Sequence, residues 1–106
     1  EMQQQLEKEF LKAAKINNIR LIPTGRAFLE INKNFPNINL YTEDLRHPSK
    51  EGTYLAALMV FTTLSNKSPV GNKYIMGLDP EIASTLQEIA WKTHKEFKKI
   101  FLDSSL

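Results

Sequence analysis

The chain has 106 residues, the size of a single domain. Its 14 basic and 12 acidic side chains give a formal charge of +2, a balance that argues against a nucleic-acid partner, which would require clustered basic residues. There is no cysteine, so disulfides and thiolate metal sites are excluded. The longest apolar run, Tyr54 to Leu64, is shorter than the ~20 residues of a membrane span, and we predict no membrane segment.

The beginning of the chain predicts a helix followed by a strand. Between residues 2 and 17, apolar side chains recur at helical spacing, with charged and amide side chains on the other face. Ile19–Ile22 is a short run with β-branched residues at both ends that stops at Pro23, which suits a strand. A helix followed by a strand is half of an α/β unit.

A second helix is predicted after Pro23, with Thr24 as its candidate N-cap. Its apolar stripe consists of Ala27, Phe28, Ile31 and Phe35. The stripe stops at Pro36, which predicts the end of the helix. The stretch 37–41 is extended or irregular by composition, and it leads into a polar loop.

A third helix is predicted from Ser49 to about Ser65. Ser49 follows a proline and provides a hydroxyl where an N-cap is expected. Apolar residues then occupy nearly every face of this helix. A helix of this kind has to be covered on most sides, so we expect it to lie among several neighbouring elements.

The last helix is the most clearly marked one. Residues 66–73 form a loop by composition, and a short apolar stretch, 74–76, follows. Asp79 is the predicted N-cap, and Pro80 is the predicted first helical residue. The apolar stripe of this helix, at spacings of three and four up to about Leu102, consists of Ile82, Leu86, Ile89, Thr93, Phe97 and Ile100.

Asp44 and His47 are the residues best placed for chemistry. A histidine can take a proton from a hydroxyl and return it to a leaving group when an acceptor holds its other ring nitrogen. Asp44 lies three residues before His47, close enough on a loop to contact Nδ1 and to leave Nε2 for a nucleophile. With 12 acidic residues and 2 histidines such a spacing also arises by chance, so a solvated loop is the alternative.

A longer string includes this pair: Asp44-x-x-His47-Pro48-Ser49-x-x-Gly52-x-Tyr54-Leu55-Ala56-Ala57, with Leu64 and Ser68-Pro69 after it. The string resembles the closing block of the SGNH (GDSL-type) serine hydrolases, and the match extends from about Leu40 to Pro69. The resemblance implies a three-layer α/β sandwich with a parallel, flavodoxin-like sheet. It also implies that Asp44 is the acid that orients the histidine and that His47 is the general base.

The same resemblance implies a serine esterase that acts on a small-molecule ester, such as an acetyl group on a carbohydrate. The family's Gly-Asp-Ser nucleophile motif and its Gly-x-Asn-Asp oxyanion-hole motif do not occur in these 106 residues. We therefore expect residues 1–106 to be the C-terminal portion of a single hydrolase domain. The serine would come from an upstream segment of the same protein, and no cofactor is expected.

Other polar residues have simpler interpretations than catalysis. Ser49 is better explained as a helix cap than as a nucleophile, and the remaining serines lie in helix or tail contexts without a nucleophile elbow. Arg46 could contact an anionic group of a substrate, or it could be an exposed loop arginine. Glu43 with the Asp44–His47 pair lacks the third convergent ligand of a catalytic zinc site, so we predict no metal.

The last helix carries a basic run with an aromatic residue beside it. We interpret Lys92, Lys95, Lys98 and Lys99 as a solvated face, with Glu88 paired to Lys92. Trp91 is predicted to pack at the rim, and His94 is predicted to be a solvated histidine on the helix face. The rival to the esterase is a small helical interaction domain without catalytic activity, which would bind a partner through the Tyr54–Phe61 surface.

Overall fold

The computed structural model describes residues 22–44 and 47–103, with side chains up to residue 100. The predicted helix at 2–17 and residues 19–21 of the predicted strand lie outside the described residues, as does Arg46. Ile22, the last residue of the predicted strand, is described and does not belong to a strand.

Three helices make up most of the described chain: α1 is Thr24–Asn34, α2 is Lys50–Ser65 and α3 is Pro80–Asp103. α2 and α3 form the largest contact, and α1 packs against both of them. Long connections join the helices, and these connections carry the candidate site and part of the core.

The predicted bounds of α1 are nearly correct, but its predicted cap is wrong. Pro23 occupies the N-cap position, Thr24 is the first helical residue, and no side chain caps the helix. Proline fits here because it has no backbone N–H that would need a partner. The helix ends where the N–H of Phe35 donates to the carbonyl of Ile31 at 2.8 Å, just before Pro36.

The predicted start of α2 is confirmed. The Oγ of Ser49 accepts a hydrogen bond of 3.1 Å from the N–H of Gly52, which satisfies a donor of the first helical turn. The helix ends at Asn66, whose φ of 58° is left-handed and whose N–H donates to the carbonyl of Thr62 at 2.8 Å. Asparagine tolerates this conformation, so the chain can turn away from the helix here.

The predicted start of α3 is also confirmed. The Oδ2 of Asp79 accepts hydrogen bonds from the N–H groups of Glu81 at 3.1 Å and Ile82 at 3.2 Å. Pro80 is the first helical residue, where a missing N–H costs nothing. None of the helices in the described residues is both long and apolar enough to cross a membrane.

One hydrophobic core lies where the three helices meet. α1 contributes Ala27 and Ile31, and the connections contribute Ile38, Leu40 and Leu78. The larger share comes from the two longer helices through Tyr54, Leu55, Leu58, Met59, Ala83, Leu86, Ile89 and Ala90.

The described residues cover α2 on one side, although its sequence predicts cover on most sides. Its buried face points to the core, whereas the opposite face carries an outer stripe of Ala57, Val60, Phe61 and Leu64 at helical spacing. Phe61 is 41% exposed and Leu64 is 58% exposed. The described residues thus present a row of apolar side chains to solvent.

The predicted three-layer α/β sandwich is wrong. The described residues form helices packed on helices, and their only β pairing is an isolated antiparallel bridge between Tyr41 and Pro48. The core is closed by helix faces and by the loop residues between them, so it is not built on a parallel sheet.

Candidate functional site

The candidate site lies on the connection between α1 and α2, which folds back on itself as a tight loop. Tyr41 and Pro48 form the antiparallel bridge. The N–H of Thr42 donates to the carbonyl of His47 at 2.9 Å, and the N–H of Ser49 donates to the carbonyl of Leu40 at 2.8 Å. These bonds close the segment 40–49, called the 40–49 loop below, so that its two arms run side by side.

Asp44 and His47 contact each other at the tip of the 40–49 loop. The Nδ1 of His47 lies 2.9 Å from the Oδ2 of Asp44, so the predicted hydrogen bond through Nδ1 is confirmed. The N–H of His47 also donates to the Oδ1 of Asp44 at 3.3 Å, and the hydroxyl of Thr42 donates to the same oxygen. The carboxylate therefore receives hydrogen bonds on both oxygens.

This contact leaves the other side of the imidazole open. The side chain of His47 is 75% exposed, and that of Asp44 is 50% exposed. When Nδ1 carries its proton toward Asp44, Nε2 keeps its lone pair and can accept a proton from an approaching group. The arrangement can therefore perform general base chemistry on a group that reaches it from solvent or from another part of the protein.

Ser49 and Gly52 attach the 40–49 loop to the start of α2. The hydroxyl of Ser49 donates to the carbonyl of Asn39 at 2.6 Å while it caps the helix. A Cβ atom on Gly52 would lie 2.1 Å from the carbonyl oxygen of Leu40, so this position excludes every side chain. This role of Gly52 was not among the sequence-based predictions, although a glycine in the first turn of an otherwise apolar helix was the available signal.

The described serines do not provide a nucleophile for His47. Ser49 uses its hydroxyl as a cap, as predicted, and the hydroxyl of Ser65 donates to the carbonyl of Phe61 at 2.7 Å. The Oγ of Ser68 accepts from the N–H of Val70 at 3.1 Å. Within the described residues, no serine donates a hydrogen bond to the Nε2 of His47. Arg46, the candidate substrate-binding residue, lies outside the described part of the chain.

His94 was predicted to be solvated, and this prediction is wrong. The side chain is buried, its Nε2 lies 2.8 Å from the Oδ1 of Asn66, and its ring stacks on Trp91 with centroids 5.5 Å apart. Burial lowers the pKa of His94, and the nearby charge of Lys98 lowers it further. This histidine belongs to the contact between α2 and α3, far along the chain from the 40–49 loop.

The predicted pairing of Lys92 with Glu88 is replaced by a longer-range contact. The Nζ of Lys92 lies 3.2 Å from the Oε2 of Glu30 and thereby links α3 to α1. Within residues 22–44 and 47–103, no group of three histidine, cysteine or acidic side chains is placed to hold a metal ion.

An open pocket of about 320 Å³ lies between α1 and the 40–49 loop. Phe28 and Tyr41 form one part of its wall, in an edge-to-face contact with ring centroids 5.7 Å apart and planes at 63°. The other lining residues are Thr24, Gly25, Leu29 and Asn32. This pocket was not predicted from the sequence, because its two walls are separated by the turn at residues 35–39 and no local motif connects them.

Comparisons of the chain with protein families, with curated proteins and with solved structures gave no match.

Proposed function

We propose that this chain supplies the acid and the general base of a serine ester hydrolase that acts on small acyl esters, such as an acetyl group on a carbohydrate. The observation that carries the proposal is the 2.9 Å contact between the Nδ1 of His47 and the Oδ2 of Asp44, with Nε2 directed away from it. The similarity of the string from Asp44 to Ala57 to the closing block of the SGNH hydrolases supports the same assignment. The proposal depends on this local geometry and does not require a sandwich fold.

In the proposed mechanism, the Nε2 of His47 accepts the proton of a serine hydroxyl as the serine oxygen attacks the ester carbonyl. The tetrahedral intermediate then collapses, the bond to the alcohol breaks, and His47 returns the proton to the departing alcohol. A water molecule next gives its proton to Nε2 and attacks the acyl-enzyme. The second tetrahedral intermediate collapses, the bond to the serine oxygen breaks, and His47 returns the proton to that oxygen, which releases the acid and regenerates the serine. Asp44 keeps the proton on Nδ1 and stabilises the imidazolium that forms in each half-reaction.

The serine in this mechanism would come from an upstream segment of the same protein. Two features of the described residues support a partner of this kind. The Nε2 side of His47 is open, since the side chain is 75% exposed. The outer stripe of α2 also presents apolar side chains, and an upstream segment could bury them.

A second candidate function, the small helical interaction domain, is favoured by that same stripe. Half of the predicted Tyr54–Phe61 binding surface is unsuitable, because Tyr54, Leu55, Leu58 and Met59 are buried in the core. The surface left for a partner is the outer stripe. On this alternative, substitutions in the stripe abolish function, and substitutions at Asp44 and His47 have no effect.

The test is the hydrolysis of an aryl acetate by the intact protein. We expect His47→Ala to remove nearly all turnover, because no other described group is placed to relay the proton. Asp44→Asn should lower kcat by up to about 10⁴-fold, by analogy with other triads, through loss of the correct tautomer. The matched control is His94→Gln, which removes the other histidine and should retain turnover. Equal rates in the wild type and in His47→Ala would end the assignment.

A further inference from the structure

The pocket between α1 and the 40–49 loop has no role in the proton transfers described above, yet the same loop builds both sites. Tyr41 lines the pocket and forms the bridge to Pro48, the residue directly after His47. Thr42, the residue that follows Tyr41 along the chain, donates its N–H to the carbonyl of His47. The aromatic wall of the pocket is therefore connected to the catalytic pair through the backbone of two adjacent residues.

The pocket and the Asp44–His47 pair lie on opposite faces of the extended segment that contains Tyr41 and Thr42. Successive side chains of an extended segment point to opposite faces, so Tyr41 points away from the face that carries Thr42. The hydroxyl of Thr42 contacts Asp44, which places the catalytic pair on that second face. A ligand in the pocket would therefore lie on the other side of the loop backbone from the reacting carbonyl. That position suits the alcohol portion of an ester and does not suit a short acyl group.

The lining of the pocket limits the chemistry of its ligand. None of the described residues that line it is charged. The half-buried ring of Phe28 and the 42%-exposed ring of Tyr41 offer apolar surface, and Leu29, which is 47% exposed, adds to it. Asn32 offers an amide that can both donate and accept, and Thr24 offers a hydroxyl. A volume of about 320 Å³ is at the lower end of the ordinary range for small-molecule sites.

We infer that this pocket binds a neutral sugar ring, which is the alcohol portion of the ester. One face of a sugar ring presents C–H groups that pack on an aromatic side chain, while the hydroxyls at its edge require donors and acceptors. Tyr41 and Phe28 fit the first requirement, and Asn32 and Thr24 fit the second. An aliphatic chain of similar size would pack on the two rings but would make no hydrogen bond with Asn32 or Thr24. The inference rests on the proposed function for the ester, whereas the binding of the sugar can be measured without any turnover.

The first experiment measures binding to the intact protein by NMR, with a panel of methyl glycosides of neutral monosaccharides and with hexanol as the aliphatic probe. We expect at least one glycoside to shift the side-chain amide of Asn32 and the backbone amide of Tyr41. Tyr41→Ala and Asn32→Ala should each weaken that binding by about ten-fold, the size expected for the loss of one well-placed contact. The matched controls are Tyr74→Ala and Asn37→Ala, both at exposed positions outside the pocket, and they should bind like the wild type.

The second experiment compares turnover of two acetate esters, an O-acetylated disaccharide and ethyl acetate, whose alcohol portion is too small to reach the pocket. Tyr41→Ala should raise KM for the disaccharide ester and lower kcat/KM for that ester by a much larger factor than for ethyl acetate. An equal loss on both esters would assign Tyr41 to the support of the loop and overturn the inference. It would also be overturned if hexanol, and none of the glycosides, shifted Asn32 and Tyr41.

The two proposals fail in distinguishable ways. If the intact protein hydrolyses neither ester but a glycoside still binds at Tyr41 and Asn32, the proposed esterase is wrong, and the sugar site stands. If the esters are hydrolysed in a manner that depends on His47 and no glycoside binds, the esterase stands, and the sugar site is wrong.

Discussion

At the scale of single residues, the contact between Asp44 and His47 depends on a neighbour that makes no contact with either side chain. Gly52 allows the first turn of α2 to lie directly against the carbonyl of Leu40, where one arm of the 40–49 loop begins. Ser49 then ties the other arm to Asn39 and to Gly52. The loop is thus held at its base, and this positions the pair at its tip.

This account predicts that Gly52→Ala is destabilising, although alanine is the better helix former by about 1 kcal/mol. The new Cβ would lie 2.1 Å from a backbone oxygen, which cannot move away as a flexible side chain could. We expect a loss of about 1–3 kcal/mol in the free energy of unfolding, measured with urea. The exposed neighbour Thr53 provides the control, because Thr53→Ala should change stability by less than about 0.5 kcal/mol. Stabilisation by Gly52→Ala would show that the close approach to Leu40 does not exist.

At the scale of helices, α2 and α3 are joined where α2 ends. The Nζ of Lys98 donates a hydrogen bond to the Oδ1 of Asn66 at 3.4 Å. Because an ammonium group can only donate, this contact identifies the Asn66 atom as the amide oxygen, which is an acceptor. The same oxygen therefore accepts from the Nε2–H of His94 at 2.8 Å, which fixes the proton of the neutral imidazole on Nε2. Asn66 thus terminates α2 through its backbone and attaches α3 through its side chain.

The junction predicts a fall in stability as the pH is lowered. Burial, and then Lys98, lower the pKa of folded His94 below the 6.5 of a free histidine. The unfolded chain therefore binds more protons as the pH falls through 6.5, and the stabilisation present above that pH is lost as the pH falls toward the pKa of the folded state. Urea unfolding between pH 7.5 and 5.5 measures this trend.

The variant that tests this trend is His94→Gln, in which the titrating group is absent and the pH dependence over this range should be reduced. His47→Gln is the matched control, because it keeps His94 and should keep the trend. If the slope of unfolding free energy against pH were the same in the wild type and in His94→Gln, the burial of His94 would not be coupled to folding.

Local sequence signals predicted the helices well and predicted their contacts poorly. The Ser49 cap and the Asp79-Pro80 pair depend only on residues close in sequence, so the first residues of α2 and α3 could be predicted from the sequence. The burial of His94 depends on Asn66, 28 positions earlier, which no helical period can reveal. In the same way, Lys92 is within reach of Glu88 on its own helix, but α1 brings Glu30 to it.

At the scale of the whole molecule, the predicted sandwich failed because the fold was inferred from a resemblance of one block. The string from Asp44 to Ala57 predicted the local geometry, namely a loop-borne pair followed by a capped helix, and both features are present. It could not predict what packs on α2. In the described residues, α1 and α3 pack on one face of α2. The side chains that make this contact lie in segments that the sequence also predicts to be helices, so the core forms without a sheet.

The exposed outer stripe of α2 predicts self-association of the chain in solution. Val60, Phe61 and Leu64 form a contiguous exposed row, and apolar rows of this kind associate in water. We expect these 106 residues to sediment as a mixture of monomers and larger species at high micromolar concentration. The double variant Phe61→Lys, Leu64→Lys should sediment as a monomer. Val70→Lys, at an exposed apolar position outside the stripe, should still associate. A wild-type chain that remained monomeric would argue against the stripe as a contact surface.

The central claim is that His47 activates a serine elsewhere in the protein, and covalent labelling of that serine tests it most directly. A fluorophosphonate probe reacts with a serine only when a neighbouring base raises its nucleophilicity. Incubation of the intact protein with this probe, followed by mass spectrometry, should find one modified serine that is none of the six serines of these 106 residues. Labelling should be lost in His47→Ala and retained in His94→Gln. The absence of a labelled serine, or labelling at the same rate in His47→Ala, would contradict the account.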